Sequence, residues 1–501
     1  MQQKNILEYL EDTVKKVPDK IAFSTGKESM TFGELYSCAR SIGSFFAEHA
    51  EHGEPIAVIM DKHPRTLATF LGIVYSGCFY ACIDEKMPPA RMLAILDRLE
   101  AKKIVTDKKN FALASSLGDF ECFVYEDISD TEENIELLCD IRKKQCNIDP
   151  IYVAFTSGST GTPKGVVASH RSVIDYTETL CEALKFDGDT VFGNQTPLYF
   201  DAPLKEIMPT LKLGATTYFI PKMLFSFPVK LVEYLDEYKI NTICWVVSAL
   251  VQISSLGALE NHVPKHLTKV AFGSELFPRK QYDLWRKALP KADFYNLYGP
   301  TEATGMSCYW YADRELRDDE PIPIGRPFDN TDIILIDDEG KRAERGEICI
   351  RGTCLTMGYF NDRDKTDAVF TQNPLNTAYP ELVYRTGDIG AINERGELLF
   401  VCRKDSQIKH MGHRIELGEI ESAANKCEGV RSACCVYDNE AKRIVLFYVG
   451  NVDSTTLTKT LVANLPRYML PAHLEALDAL PFTANGKIDR KGLKERAEKI
   501  Q

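Results

Sequence analysis

Phe155-Thr156-Ser157-Gly158-Ser159-Thr160-Gly161-Thr162-Pro163-Lys164-Gly165 is the most informative stretch of the chain. Its glycines let backbone N–H groups approach phosphate oxygens and take positive φ, its hydroxyls donate further hydrogen bonds, and Lys164 adds a compact positive charge. The stretch reads as a cradle for nucleotide phosphates, with Thr156, Ser157, Gly158, Ser159, Thr160, Gly161 and Lys164 as the contacting residues. It is not a Walker loop, because Lys164 is preceded by Pro163 and followed by Gly165 rather than by Ser or Thr. The apolar run Ile151-Tyr152-Val153-Ala154-Phe155 predicts a buried strand that delivers the loop from a rigid edge. A flexible Ser/Gly linker is the competing interpretation, and the Pro-Lys-Gly ending argues against it.

On both sides of this loop, helical patterns alternate with short apolar runs. Before it, the pattern predicts helices over 31–49 and 65–76 and strands over 56–60 and 79–83. After it come strands near 191–192, 216–220, 243–247, 269–272 and 294–297, as expected for α/β layers around largely parallel sheets. From 333 to 400 the signal turns β-rich, with Asp337-Asp338-Glu339-Gly340 and Asn393-Glu394-Arg395-Gly396 as hairpin turns. Beyond Asp405 it becomes mixed, with helices over 416–426 and 455–464 and strands over 430–437 and 443–449. The expected fold class is α/β: a large domain of layered α/β subdomains with a β-rich subdomain over 1–404, then a small mobile α+β domain over 405–501.

A chain of 501 residues exceeds one hydrophobic core, and 44% hydrophobic with 26% charged residues excludes collagen-like and disordered classes. A net charge of −12 argues against a nucleic-acid partner. The N-terminus has no apolar signal core and no apolar run reaches membrane length, so the expectation is a cytoplasmic protein without a membrane partner. Fifteen cysteines are an odd number, and contexts such as Cys78, Cys82, Cys349 and Cys435, without paired zinc spacings, read as reduced thiols. Cys434-Cys435 read as half-buried strand residues.

Four further segments join the loop: Asn296-Leu297-Tyr298-Gly299-Pro300-Thr301-Glu302-Ala303-Thr304, Tyr384-Arg385-Thr386-Gly387-Asp388, Arg403 through Glu421, and Asn485-Gly486-Lys487-Ile488-Asp489-Arg490. Together and in this order they resemble the adenylate-forming superfamily over essentially the whole chain. The likeness is greatest to amino-acid adenylation domains of nonribosomal peptide synthetases and D-alanine:carrier-protein ligases. The resemblance implies two steps: a carboxylate attacks the α-phosphate of ATP, with Mg2+ present, giving an acyl-adenylate and pyrophosphate. A phosphopantetheine thiol of a carrier protein then takes the acyl group.

Two anions meet in the first step, so such an enzyme neutralises charge rather than supplying a nucleophile. By resemblance Lys487 bridges the substrate carboxylate and the phosphate, Thr301 donates to the α-phosphate, and Glu302 is both catalytic and the Mg2+ ligand. Gly273, Asn296, Gly299 and Arg403 join the ATP site, Tyr298 stacks on adenine, and Asp388 accepts the ribose hydroxyls. Asp405 is the hinge, and Gly412 lets the pantetheine arm pass. Cys402 stands where a glycine usually precedes this Arg, so an altered turn is expected there.

Asp201 matches the family's partner for a substrate α-ammonium, which favours an amino acid over a plain carboxylic acid. Carried across by alignment, the pocket is lined by Ala202, Lys205, Cys244, Val270, Phe272, Leu297, Gly305 and Met306, with Cys244 uncertain by one residue. Two substrate classes stay open. Bulky Phe272 and Leu297 suggest a shallow pocket for alanine or a similarly small residue. Lys205 stands where some glutamate activators have Lys, and a closed-in ammonium would select an acidic side chain, unless its head escapes to solvent along the helix. No carrier signature of the Leu-Gly-Gly-x-Ser type follows Arg490, so the expectation is a stand-alone enzyme serving a separate acyl or peptidyl carrier protein. The alternatives are an acyl- or aryl-CoA synthetase, disfavoured by Asp201, and a non-catalytic nucleotide-binding member of the fold.

Overall fold

The computed structural model describes residues 3–157, 163–318, 320–404, 407–481 and 488–500. The chain divides into two compact units. One comprises Met1–Glu85, Glu100–Ala154 and Val166–Cys402, and the other Lys86–Leu99, Phe155–Gly165 and Arg403–Gln501.

The first unit is built on layered sheets. A nine-stranded sheet runs in the order Arg326–Pro327, Cys308–Tyr311, Asp293–Tyr298, Lys269–Gly273, Thr242–Val246, Val191–Asn194, Thr216–Phe219, Ile21–Ser24 and Ser29–Thr31. Its centre, from Asp293–Tyr298 through Ile21–Ser24, is parallel, as expected of apolar strands alternating with helices. A six-stranded sheet carries Pro55–Ile59, Phe79–Cys82 and Pro150–Thr156 side by side, and the glycine-rich loop leaves from the end of Pro150–Thr156. The β-rich region forms an antiparallel sheet of Thr331–Ile336, Arg345–Gly352, Leu382–Ile392 and Phe370–Gln372, with Leu398–Arg403 on the Leu382–Ile392 strand.

Local chemistry sets the element ends. Thr31 and Glu34 make a reciprocal capping box that starts the helix Phe32–His49, and such a cap stabilises a helix by about 1 kcal/mol. The helix Leu204–Leu213 ends at Gly214 in the left-handed region at φ +71°. Pro209 sits inside that helix and has no N–H to offer the Lys205 carbonyl. The two faces of the nine-stranded sheet feed different cores. Cys244, Ala271, Tyr295, Leu297 and Met306 join the core that contains Tyr176, Leu204 and Met208. Trp245, Val270, Phe272 and Phe294 join the other, with Trp285 and Trp310.

In the second unit, Gln407–His410 and His413–Glu416 form a hairpin. A three-stranded sheet of Val430–Asp438, Arg443–Gly450 and His473–Ala476 carries the helices Leu417–Asn425, Ser454–Asn464 and Arg490–Ala497. Cys434 and Cys435 are fully buried on the strand Val430–Asp438, on its opposite faces. All fifteen cysteines are free thiols. Cys402 lies within the strand Leu398–Arg403, so the altered turn expected there is absent. Among the described residues, no helix is long and apolar enough to cross a membrane.

Candidate active site

In the first unit, the segment Thr301–Ala303 is a short 3-10 turn that follows the strand Asp293–Tyr298. Gly299 and Gly305 shape it. A Cβ on Gly299 would stand 2.4 Å from the Met306 Cα, so only glycine lets the two backbones pass. Gly305 has φ +91°, and its open side faces Asp201. A Cβ there would lie 3.7 Å from Asp201 Oδ2 and 4.0 Å from the Tyr176 hydroxyl. Asp201, Gly305 and Tyr176 therefore surround one small space.

Burial pushes the Asp201 carboxyl above the usual carboxylate range, and the Thr301 hydroxyl and Lys205 ammonium pull it back, while Glu302 adds to the rise. Glu302 is fully buried, and its Oε1 accepts from the Tyr359 hydroxyl at 2.7 Å. Its backbone carbonyl accepts from both the N–H and the hydroxyl of Thr356. Asp388, 3% exposed on the strand Leu382–Ile392, accepts from the Tyr298 hydroxyl at 2.6 Å. The Tyr298 ring is packed in a core with Cys308, Ile350 and Tyr384. Tyr298, expected as the platform for adenine, is 4% exposed, and its hydroxyl supports Asp388. Asn296 donates to the Pro323 carbonyl at 2.7 Å, and Gly273 ends the strand beside Leu297.

Around Asp201, the structure brings together Ala202, Lys205, Cys244, Leu297, Gly305 and Met306 on one side of the sheet. It does not bring Val270 or Phe272 there. Strand side chains alternate, and these two point into the opposite core, where Phe272 packs edge-on against Phe277 and Tyr282. Ala271 takes the pocket-side place instead. The bulk of Phe272 thus says nothing about pocket depth. Lys205 is 5% exposed, so its head does not escape to solvent along the helix.

Tyr176, Ala271, Glu206 and Lys62 are the residues missed by sequence reasoning. Glu206 is fully buried, and burial pushes its carboxyl up to about 8 against the opposing charges of Lys205 and Lys62. Lys62 donates to the carbonyls of Asn194 and Gln195 and to Asn194 Oδ1, at 3.1 to 3.3 Å. Burial lowers its ammonium to about 7.

In the second unit, Ser157 donates to the Arg414 carbonyl at 2.8 Å and accepts from the Glu416 N–H at 3.1 Å. Lys164 stands 3.5 Å from Glu416 Oε1, and the Thr156 hydroxyl reaches the Lys164 carbonyl at 3.5 Å. Gly412, at φ +78°, closes the hairpin with Met411, and Arg403 ends its strand. Gly158, Ser159, Thr160, Gly161, Asp405 and Lys487 lie outside the described residues.

The family model described as AMP-binding enzyme matches residues 10–360, and the one described as AMP-binding enzyme C-terminal domain matches residues 419–487. The D-alanine--D-alanyl carrier protein ligase of Bacillus licheniformis is 30% identical, covering 97% of this chain and 98% of its own. The L-proline--[L-prolyl-carrier protein] ligase of Streptomyces coelicolor is 29% identical, covering 93% and 92%. The solved Vibrio cholerae adenylation domain AlmE, in complex with glycyl-adenosine-5'-phosphate, shares the fold at a TM-score of 0.85 with 20% identity, covering 99% and 98%. With the first family model spanning well over half of the residues, the chain belongs to the AMP-binding enzymes of the adenylate-forming superfamily and is an adenylate-forming enzyme.

Proposed function

We propose that the chain is an AMP-forming amino acid:carrier-protein ligase. An oxygen of the amino acid's carboxylate attacks the α-phosphorus of ATP, the bond to pyrophosphate breaks, and the aminoacyl group then passes from AMP to the pantetheine thiol of a carrier protein. Asp201 is the observation that carries this assignment. Its carboxyl faces the space left by Gly305, with Thr301 and Tyr176 around it, where a substrate ammonium would complete the charge. A plain carboxylic acid would leave that carboxylate unpaired in a closed site, at a cost of several kcal/mol if charged.

The remaining roles follow from the chemistry of the side chains. Thr301, beside Asp201, offers its hydroxyl to the α-phosphate, Asp388 accepts from the ribose, and Lys164 with the loop 156–161 takes the phosphates. Glu302 and the Thr301 hydroxyl are hard oxygen donors that fit Mg2+. Mg2+ is commonly bound through one or two carboxylates together with substrate phosphates and water. When bound, Mg2+ neutralises phosphate charge. Lys487 bridges the two reacting anions, and the part beyond Asp405 moves between the half-reactions, carrying Lys487 out and Gly412 in.

Amino-acid-dependent exchange of labelled pyrophosphate into ATP tests the assignment, across both stereoisomers of the common amino acids with aryl and fatty acids included. Exchange with an amino acid, lost in Asp201→Asn, supports it. Silence with every amino acid, or exchange with a simple acid, overturns it.

A further inference from the structure

The hairpin 407–416 sits on two polar residues of the glycine-rich loop, Ser157 and Lys164. Ser157 is buried; its hydroxyl donates to the Arg414 carbonyl at 2.8 Å, and its oxygen accepts from the Glu416 N–H at 3.1 Å. A serine hydroxyl has one proton to donate, so in this arrangement Ser157 has none left for a phosphate oxygen. The Lys164 ammonium stands 3.5 Å from Glu416 Oε1, and the same oxygen accepts from the Gln407 amide at 2.5 Å. Arg414 Nε donates to Gln407 Oε1 at 2.7 Å and so fixes which end of that amide meets Glu416. A buried carboxylate is thus seated on the lysine of the phosphate loop.

A second contact holds the same segment down. The strand His413–Glu416 runs directly into the helix Leu417–Asn425, and Glu419 on the first turn of that helix pairs with Arg91 of the helix Pro89–Leu99. Both charges are buried, and parting them would cost each its opposite charge away from water. Glu416 and Glu419 are three residues apart, so the hairpin cannot lift from the loop without straining the Arg91 pair.

Given that Ser157 and Lys164 take the phosphates of ATP, we propose that Glu416 is an internal competitor for that site, an autoinhibitory contact that the Arg91–Glu419 pair keeps shut. A phosphate and the Glu416 carboxylate are both anions, and like charges in one buried site disfavour each other. ATP therefore meets a loop whose lysine and hydroxyl proton are already engaged, and it binds by displacing the hairpin from them.

The apparent affinity for ATP is then its intrinsic affinity reduced by the fraction of molecules whose hairpin has lifted. The coupling is reciprocal: ATP loosens the hairpin by the factor by which the hairpin weakens ATP. The contact answers to phosphate and not to adenine or ribose. Pyrophosphate alone should lift the hairpin, and adenosine should not.

The test uses the full chain without any acyl substrate, and reads calorimetric affinity for ATP with Mg2+ together with amide hydrogen exchange over 407–416. In the wild type, ATP and pyrophosphate should each speed exchange there by about tenfold, and adenosine should leave it unchanged. Glu416→Gln keeps the shape without the charge and should tighten ATP about fivefold. Glu419→Gln lies away from Lys164 and should tighten it in the same direction. Damage to the fold would weaken ATP instead, so tightening cannot come from a merely structural role. Tightening in Glu416→Gln alone makes Glu416 a local charge on Lys164 and overturns the contact, as does wild-type affinity in both variants. Exchange that ATP leaves unchanged, or that adenosine speeds equally, overturns it in the wild type without any variant. If Lys164→Met leaves ATP affinity intact, it is the phosphate assignment of the loop that fails, and the proposal falls with it.

Discussion

The Tyr298 hydroxyl donates to Asp388 Oδ2 at 2.6 Å, linking the end of a strand in the nine-stranded sheet to a strand of the β-rich sheet. Both residues are buried, so the bond is sheltered from water and holds one oxygen of the carboxylate in place while its other lone pairs face elsewhere. A hydrogen bond to a charged group contributes about 1.5 to 3 kcal/mol.

Tyr298→Phe should therefore loosen Asp388 without removing a ring from the core. The expected outcome is a KM for ATP raised about tenfold with a smaller change in kcat. In the wild type 2′-deoxy-ATP should be a poorer substrate than ATP, and the variant should narrow that gap. A lowered melting temperature with an unchanged KM for ATP and an unchanged gap would assign the bond to stability alone.

The order of strands and helices was legible because the apolar runs are short and bounded by polar turns. The helix expected over 31–49 runs from Phe32 to His49, and the expected turns at Asp337 and Asn393 each join two paired strands. The register of the strand Lys269–Gly273 was not legible. Val270, Ala271 and Phe272 are all apolar and buried, so nothing in the sequence distinguishes the pocket side from the far side, and a slip of one residue exchanges them. Tyr176 and Lys62 escaped for another reason. Each lies in a separate element, 25 and 139 residues from Asp201, and only the tertiary fold brings them near. The neighbourhood of Glu206 held the one available hint: an acid directly after a lysine at the start of an otherwise apolar helix face.

Gly305 is a direct probe of the ammonium space. An alanine there meets no collision, since its Cβ would sit 3.7 Å from Asp201 Oδ2, but it occupies the opening and must hold φ +91°. The backbone strain costs on the order of 1 kcal/mol. Gly305→Ala should raise KM for the amino acid by about tenfold or more while KM for ATP stays within about twofold. If both constants rise together, Gly305 shapes the loop and not the ammonium space.

Tyr359 restrains Glu302 through a 2.7 Å hydrogen bond to Oε1. Its removal leaves a buried carboxylate with one partner fewer and freer to reorient. Tyr359→Phe should lower kcat for pyrophosphate exchange several-fold and raise the Mg2+ concentration needed for half-maximal rate. Exchange restored to the wild-type rate by high Mg2+ locates the effect at the metal site. A loss that no Mg2+ concentration restores would sink the link between Tyr359 and metal binding.

His170 gives the protein a sharp acid limit. It is fully buried at the start of its helix, and its Nδ1 accepts from the Ile6 N–H at 3.2 Å, a bond that a protonated ring cannot accept. Burial, helped by the charge of Arg142, depresses the imidazole to about 3, against 6.5 for the unperturbed group. The unfolded chain therefore binds a proton below pH 6.5 that the folded chain refuses. Stability from this residue is complete above pH 6.5 and is lost progressively as the pH falls towards 3, by about 5 kcal/mol at the limit. His170→Gln cannot titrate in this range. It should cost about 1 to 2 kcal/mol at pH 7 for the altered contacts, yet fall less steeply between pH 6.5 and 4. Urea midpoints of the two proteins across that range would decide it, and parallel decline would place the acid sensitivity on the carboxylates instead.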